Sequence, residues 1–303
     1  MKIAIFDVEH WECETFEPLK EEHEVVYEEG ALDAEAAEKH GDAEIISPFI
    51  YSDFSREVLD RFANLKFIAT RSTGVDHIDM DWCRENGVAV SNVPSYGANT
   101  VAEHVFALLL AISHNVVDAA DRTRRGDFTQ DGLQGFDLKG RTMGVIGTGD
   151  IGVHTARIAR GFGMEVLAFD VKPREDVARD IGFVYVDMGD LLALSDVVSL
   201  HVPGNEETRN LIDADAFGKM KHGAILINTA RGIVVETGAL LEALSSGKLR
   251  AAGLDVLPEE PVLREEAELL RSYFNREHHL DTLLADHILL SPQYSPNAAQ
   301  GPV

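Results

Sequence analysis

The residues best placed to do chemistry begin with Gly147-Thr148-Gly149-Asp150-Ile151-Gly152. Three glycines at these spacings mean little without context, and here the context is complete. Arg141-Thr-Met-Gly-Val-Ile146 reads as a strand before them and His154–Phe162 as a helix after them. Gly147 permits a tight turn, Gly149 lets backbone approach a pyrophosphate, and Gly152 lets helix and strand pack closely. The helix start then offers free N–H groups and a positive dipole end to the phosphates. A second strand-like run ends at Asp170, 18 residues after Gly152. A carboxylate there can accept hydrogen bonds from both hydroxyls of an adenosine ribose and would repel a 2′-phosphate, which favours NAD over NADP. Lys172 and Arg174 soften that preference, because a swung cation could meet the phosphate. The bland alternative, a glycine-rich turn of structural use only, does not account for strand, helix and acid together.

A nicotinamide cofactor supplies only a hydride. Reduction of a 2-keto acid needs three further groups: a cation for the carboxylate and carbonyl, a proton donor for the developing alkoxide, and a neighbour that sets the donor's pKa. Arg231, in Asn228-Thr-Ala-Arg-Gly232, directly follows a strand-like run, where a guanidinium could grip a carboxylate through two parallel hydrogen bonds. Glu260, in Gly253-Leu-Asp-Val-Leu-Pro-Glu-Glu-Pro261, also follows a strand. A solvated surface group is the competing reading for each.

With these residues in view, the chain resembles the D-isomer-specific 2-hydroxyacid dehydrogenases, and within them the D-lactate dehydrogenase-like members. The resemblance runs from about Leu65 to Pro292 and rests on seven segments taken together. They are Arg71-Ser-Thr-Gly-Val-Asp-His-Ile-Asp79, Asn92-Val-Pro-Ser-Tyr96, Val101-Ala-Glu-His104, Gly144-Val-Ile-Gly-Thr-Gly-Asp-Ile-Gly152, Leu200-His-Val-Pro203, Ile227-Asn-Thr-Ala-Arg-Gly232 and Gly253-Leu-Asp-Val256. The resemblance implies that Arg231 binds substrate and that Glu260 pairs with a catalytic histidine. It implies that the N–H groups of Thr73 and Gly74 hold the substrate carboxylate. Tyr96 resembles a substrate-side hydroxyl, with a buried structural tyrosine as the alternative. Asp255 resembles the residue that holds the nicotinamide carboxamide, and His201, Val202, Pro203, Thr208, Thr229 and Ala230 would lie along NAD. His104 is expected to pack or cap rather than catalyse. A homodimer built on the cofactor lobe, using the helix that starts at Thr100, is also implied.

One position departs from the family pattern. Its proton donor is a histidine directly after the proline that ends the last strand, and in Ile288-Leu-Leu-Ser-Pro-Gln-Tyr-Ser-Pro296 that place is taken by Gln293. An amide donates a hydrogen bond but gives up no proton near neutral pH. Losing general acid–base help typically costs about two to four powers of ten in rate. His287 is no substitute, since it lies six residues earlier, roughly 20 Å away by strand rise. His278 and His279 read as surface groups in a charged stretch. The family pattern also continues past the equivalent of Val303 with a helix returning to the first lobe, so reduced activity is expected. The competing reading is a catalytically weak NAD(H)-binding sensor that presents a surface to a partner. Loss of the acid favours that reading, whereas Arg231 and Glu260 would then have no purpose. Among substrates, a small or medium 2-keto acid is preferred. A phosphorylated one would call for more cations than Arg71 and Arg231, and no formate-type pocket loop is found.

The elements that must position these groups follow from the hydrophobic pattern. Strand-like runs Lys2–Phe6, Glu44–Ser47, Leu65–Thr70 and Val88–Val93 alternate with helix-compatible Phe16–Glu22, Ala34–His40, Ser55–Ala63 and Ile78–Asn86. Such alternation predicts a parallel sheet covered by helices. An apolar helix from Thr100 to about Ala119 follows, then a polar, glycine-bearing linker from Arg122 to Lys139. A second series places strands at Thr142–Ile146, Glu165–Asp170, Phe183–Val186, Val197–Val202, Ala224–Asn228, Ala251–Val256 and Ile288–Ser291. The expected fold is α/β, with two Rossmann/flavodoxin-like lobes and a ligand cleft between them, the cofactor lobe being a doubly wound Rossmann domain. Residues 1–99 plus 292–303 would form the flavodoxin-like substrate domain and 100–291 the NAD-binding domain.

Composition bounds the partners. The chain has 303 residues and a formal charge of −25, which repels nucleic acid and anionic membranes at long range. Lysine occurs 9 times and arginine 18 times beside 52 acidic residues, a lysine-poor, acidic balance that suits high salt. Cys13 and Cys83 have neither metal-ligand spacing nor a disulfide framework around them, so no metal is expected. With no long apolar segment or signal-like start, a cytoplasmic protein is the expectation.

Overall fold

The computed structural model describes residues 1–72, 74–75, 77–93, 97–257 and, by backbone alone, 288–290. The chain divides into two compact units, Met1–Tyr96 and Gly97–Val303. Residues 292–303, expected with the first lobe, lie outside the described residues.

The first unit holds five parallel strands: β1 (Lys2–Ile5), β2 (Glu24–Tyr27), β3 (Ile45–Ser47), β4 (Phe67–Ala69) and β5 (Ala89–Ser91). Their spatial order is β2-β1-β3-β4-β5, the flavodoxin-like winding. Period-2 alternation puts Ala4 and Phe6 into one core and Ile3 and Ile5 into another, so both faces of the sheet are covered. β2 is absent from the sequence reading. Its Val25-Val26 pair sits between acidic runs, and as an edge strand it is only half-buried, so its alternation is weak. The helix expected over Phe16–Glu22 is instead a short α-helix, Cys13–Phe16, followed by a 3-10 turn, Glu17–Glu21. Pro18 is the reason: it lacks an N–H and is accommodated only in a first turn.

In the second unit, β6 (Thr142–Ile146), β7 (Glu165–Phe169), β8 (Val184–Tyr185), β9 (Val197–Leu200), β10 (Ala224–Asn228), β11 (Leu249–Leu254) and β12 (Ile288–Leu290) form one parallel sheet. The order β12-β11-β10-β9-β6-β7-β8 reverses direction at β6, as in a doubly wound Rossmann sheet. All five residues of β10 are buried. Ala224 and Leu226 pack with Ile146, Leu200 and Phe217, while Ile225 and Ile227 pack with Met143, Val145 and Val105 on the other face. Each of the larger side chains among them contributes about 1.5–3 kcal/mol by leaving water.

The single helix expected from Thr100 to Ala119 is two helices, Ala98–Ser113 and Val116–Arg124, bent by 62°. The break lies at Asn115, whose φ of +50° is a left-handed conformation that asparagine tolerates. The N–H of Phe136 then caps the freed carbonyl of Ser113 at 2.9 Å, drawing the following stretch back onto the helix end. Among the described residues, no single helix is long and apolar enough to cross a membrane.

Candidate functional site

The glycine loop leaves β6 at the point where the strand order reverses, which is where open α/β sheets bind ligands. Gly147 has φ +92°, and a Cβ there would lie 2.5 Å from the carbonyl oxygen of His201. A Cβ on Gly152 would lie 2.0 Å from the carbonyl oxygen of Gly147, so turn and helix close to contact distance. Gly149 differs: nothing lies within 4 Å of its Cβ direction, and it begins the helix Asp150–Gly161. That open space above the first turn of the helix is where its unpaired N–H groups can meet an anion. The helix starts at Asp150, one turn before the expected His154, which brings Asp150, Ile151 and Gly152 into that first turn.

Asp170, one residue beyond β7, closes the loop from the far side. Its Oδ2 accepts from the Thr148 N–H at 2.6 Å and the Thr148 hydroxyl at 2.9 Å, and its Oδ1 accepts from the Lys172 N–H at 2.8 Å. Burial pushes this carboxyl up, but those hydrogen bonds and the Arg174 charge outweigh it and hold the group below its ordinary range. Asp170 is therefore an ionised acceptor at neutral pH. Three of its roughly four acceptor positions are already filled, so the ready acceptance of two ribose hydroxyls expected from sequence narrows to about one free position.

The segment after β9 runs against the same turn. His201 takes part in the sheet through its N–H to Ile146 O at 2.8 Å, and its ring nitrogen Nε2 lies 2.9 Å from Ser199 Oγ. Burial pushes the imidazole down to about 3, so it is neutral at physiological pH although the residue as a whole is half-exposed. Val202 packs onto the core beneath the sheet. The Thr208 hydroxyl donates to Pro203 O at 2.6 Å and accepts from Asn205 N at 3.0 Å, so it braces the Pro203 loop.

β10 ends in Asn228, a buried residue that sequence reading passed over as a site element. Its Oδ1 accepts from Ala230 N at 3.0 Å, its Nδ2 donates to Arg231 O at 3.0 Å, and its carbonyl accepts from Asp255 N at 2.9 Å. One amide thus folds the loop carrying Thr229, Ala230 and Arg231 and ties it to the end of β11. The half-buried Arg231 side chain packs against Gly204, and its Nη1 donates to Ala230 O at 2.8 Å. A polar residue closing an otherwise apolar strand was the signal that could have found Asn228.

At the end of β11, Asp255 is 8% exposed. Its Oδ1 stands 3.2 Å from Nε2 of His104 on the helix Ala98–Ser113. Neither atom has a hydrogen bond, and the Thr229 hydroxyl is likewise buried without one. Buried polar atoms without partners are uncommon. Their presence here fits a polar ligand group such as a carboxamide. His104, expected to pack or cap rather than catalyse, faces Asp255.

In the first unit, Gly74 O accepts from the Ser72 hydroxyl at 2.7 Å, and Ser72 Oγ lies 2.7 Å from Thr70 Oγ1. Arg71 is committed internally: its guanidinium donates to Ser47 O, Phe6 O and Asp7 O at 3.0, 2.9 and 2.7 Å. Thr73, Tyr96, Glu260 and Gln293 lie outside the described residues.

Residues 106–280 match the family described as D-isomer specific 2-hydroxyacid dehydrogenase, NAD binding domain. The chain belongs to that family. It is 36% identical over 264 residues to the D-lactate dehydrogenase of Escherichia coli, spanning 86% of this chain and 80% of that one. It is 36% identical over 248 residues to the glyoxylate reductase of Thermococcus litoralis, spanning 80% and 75%. The crystal structure of Aquifex aeolicus D-lactate dehydrogenase, complexed with NAD and lactic acid, superposes with a TM-score of 0.89 at 35% identity, covering 98% of this chain and 90% of that one. This 2-hydroxyacid dehydrogenase is an NAD-dependent oxidoreductase, D-lactate dehydrogenase-like in sequence and fold. The open cradle at Gly149, the ionised Asp170 and the unpaired Asp255 and Thr229 oxygens fit its cofactor.

Proposed function

We propose that this dehydrogenase interconverts a small or medium 2-keto acid and its D-2-hydroxy acid, and that it does so slowly. NADH, when bound, supplies the hydride. The backbone N–H groups at the start of the helix Asp150–Gly161 would hold the pyrophosphate, Asp170 a ribose hydroxyl, and Asp255 with Thr229 the carboxamide. Arg231 would bind the substrate carboxylate and polarise the carbonyl. Thr73, Gly74 and Tyr96 carry the family's substrate roles. Gln293, at the position where the family pattern has its histidine, would offer the carbonyl oxygen a hydrogen bond and no proton, and Glu260 would lack the imidazolium partner that the pattern gives it.

The observation that carries this reading is convergence: strands β6, β10 and β11 deliver the glycine loop, Thr229 with Arg231, and Asp255 from the same end of one sheet. The names of the relatives, D-lactate dehydrogenase and glyoxylate reductase, support small 2-keto acids as the substrate class. A homodimer through the cofactor unit belongs to the same reading, supported by exposed Val116, Val117 and Phe128 after the helix Ala98–Ser113.

The test is NADH oxidation with pyruvate, glyoxylate and phenylpyruvate in the native protein and in Gln293→His. The variant is expected to gain at least about a hundredfold in kcat. No gain would refute the missing acid as the cause of slow turnover. Tight NADH binding without turnover in both forms would favour the NADH-sensing alternative.

A further inference from the structure

We propose that Tyr185 is a positioning residue for the ribose-recognising carboxylate and sharpens the choice of NAD over NADP. The inference rests on the reading of Asp170 as the ribose acceptor. It follows from where four protons must lie.

Arg174 N–H donates to the Tyr185 hydroxyl oxygen at 3.0 Å, and that oxygen lies 2.8 Å from Thr148 Oγ1. Thr148 Oγ1 lies 2.9 Å from Asp170 Oδ2, which also receives the Thr148 N–H. Asp170 is ionised and can only accept. The single hydroxyl proton of Thr148 therefore points at Asp170, since the opposite orientation would set a lone pair against a carboxylate. With that proton committed, the one between Thr148 and Tyr185 belongs to Tyr185. The chain of bonds runs one way, from Arg174 N–H through Tyr185 and Thr148 to Asp170. Its last link, into the carboxylate, is charge-assisted and about twice as strong as a neutral bond.

Tyr185 is well held for this task. It is the last residue of β8, half-buried, with its ring 5.3 Å edge-on from Phe183. Thr148 is 1% exposed, so water cannot readily replace the phenol as its donor. The outcome is a carboxylate that cannot swing. A fixed Asp170 keeps its remaining acceptor position available to the ribose and sets its negative charge against an incoming 2′-phosphate. Without Tyr185, Thr148 can rotate, Asp170 loses a restraint, and a phosphorylated ribose meets less repulsion.

The experiment titrates ADP-ribose and 2′-phospho-ADP-ribose, which carry no nicotinamide, by calorimetry. It uses the native protein, Tyr185→Phe, Thr148→Val, the double variant and Asp170→Ala. Tyr185→Phe keeps the Phe183 contact and is expected to fold, with only a modestly lower urea midpoint. It should weaken ADP-ribose binding about fivefold, as for loss of one hydrogen bond, and reduce the discrimination against the phosphorylated ligand. Thr148→Val should do the same, and the double variant should lose no more than either single change, because the residues act in series. Unchanged discrimination in Tyr185→Phe, with discrimination lost in Asp170→Ala, would overturn the role of Tyr185 alone. Unchanged discrimination in Asp170→Ala would overturn the reading of Asp170 and the proposal with it.

Discussion

Nε2 of His104 stands 3.2 Å from Oδ1 of Asp255, and neither atom completes a hydrogen bond. One residue comes from the helix Ala98–Ser113 and the other from the end of β11, and both belong to the cofactor unit. A buried carboxylate and imidazole in this arrangement are ready to share a polar ligand. His104→Phe is expected to weaken NADH binding roughly tenfold while leaving ADP-ribose binding unchanged, because only NADH carries the carboxamide. His104→Gln, whose amide can reach the same point, should retain most of the affinity. Fluorescence titration of NADH and calorimetry of ADP-ribose provide the readouts. Equal losses for both ligands would point to a general structural defect.

The two glycines flanking the start of the phosphate helix should respond differently to alanine. In Gly152→Ala, the new Cβ meets backbone at 2.0 Å, so turn and helix must separate. A loss of about 1–3 kcal/mol in urea unfolding is expected, together with weaker NADH binding. In Gly149→Ala, the Cβ enters empty space, so stability should hold within about 0.5 kcal/mol while NADH affinity falls. A Gly149→Ala variant that binds NADH normally would place the pyrophosphate elsewhere.

His201 makes acid stability testable. Its folded pKa, pushed down by burial to about 3, lies below its ordinary 6.5. Between these values the unfolded chain binds a proton that the folded chain refuses, so stability is intact above pH 6.5 and is lost as pH falls toward 3. One such proton gives a slope of at most about 1.4 kcal/mol per pH unit, reduced here because the residue is partly open to solvent. Urea unfolding from pH 6.5 to 4 should show a shallower slope in His201→Gln than in the native protein. Parallel slopes would rule out this source of acid sensitivity.

The charge of −25 sets a salt dependence. Self-repulsion is screened within about 3 Å at molar ionic strength and within about 30 Å at 0.01 M. The thermal midpoint is expected to rise by several degrees between 0.01 M and 1 M potassium chloride. A flat response would mean that the acidic surface carries no salt-dependent stability.

The Rossmann motif was legible because its signals are local. A short apolar strand, glycines at fixed offsets and an acid at the end of the next strand lie within 30 residues of one another, and all take the expected places around β6 and β7. β2 was not legible, because it is half-buried on both faces, Val26 against one core and Val25 and Tyr27 against the other, which leaves little alternation, and Glu21-Glu22 and Glu28-Glu29 mask it. The bend at Asn115 escaped because apolar spacing continues across it in Val116 and Val117, both of which face solvent. Asn228 and His104 escaped because their significance lies in partners 27 and 151 positions away, at Asp255.

By itself the sequence determined that this chain binds a dinucleotide on a doubly wound sheet. It also marked Gln293 as the residue expected where the family pattern carries its histidine proton donor. Those facts reside in residue types at fixed spacings. Tertiary structure alone decided how much of Asp170 is free to meet a ribose, which buried oxygens are left without partners, and that Tyr185 stands behind Thr148. Hydrogen-bond accounting depends on groups that folding brings together from strands far apart in the chain, and no local pattern encodes which of them remain unsatisfied.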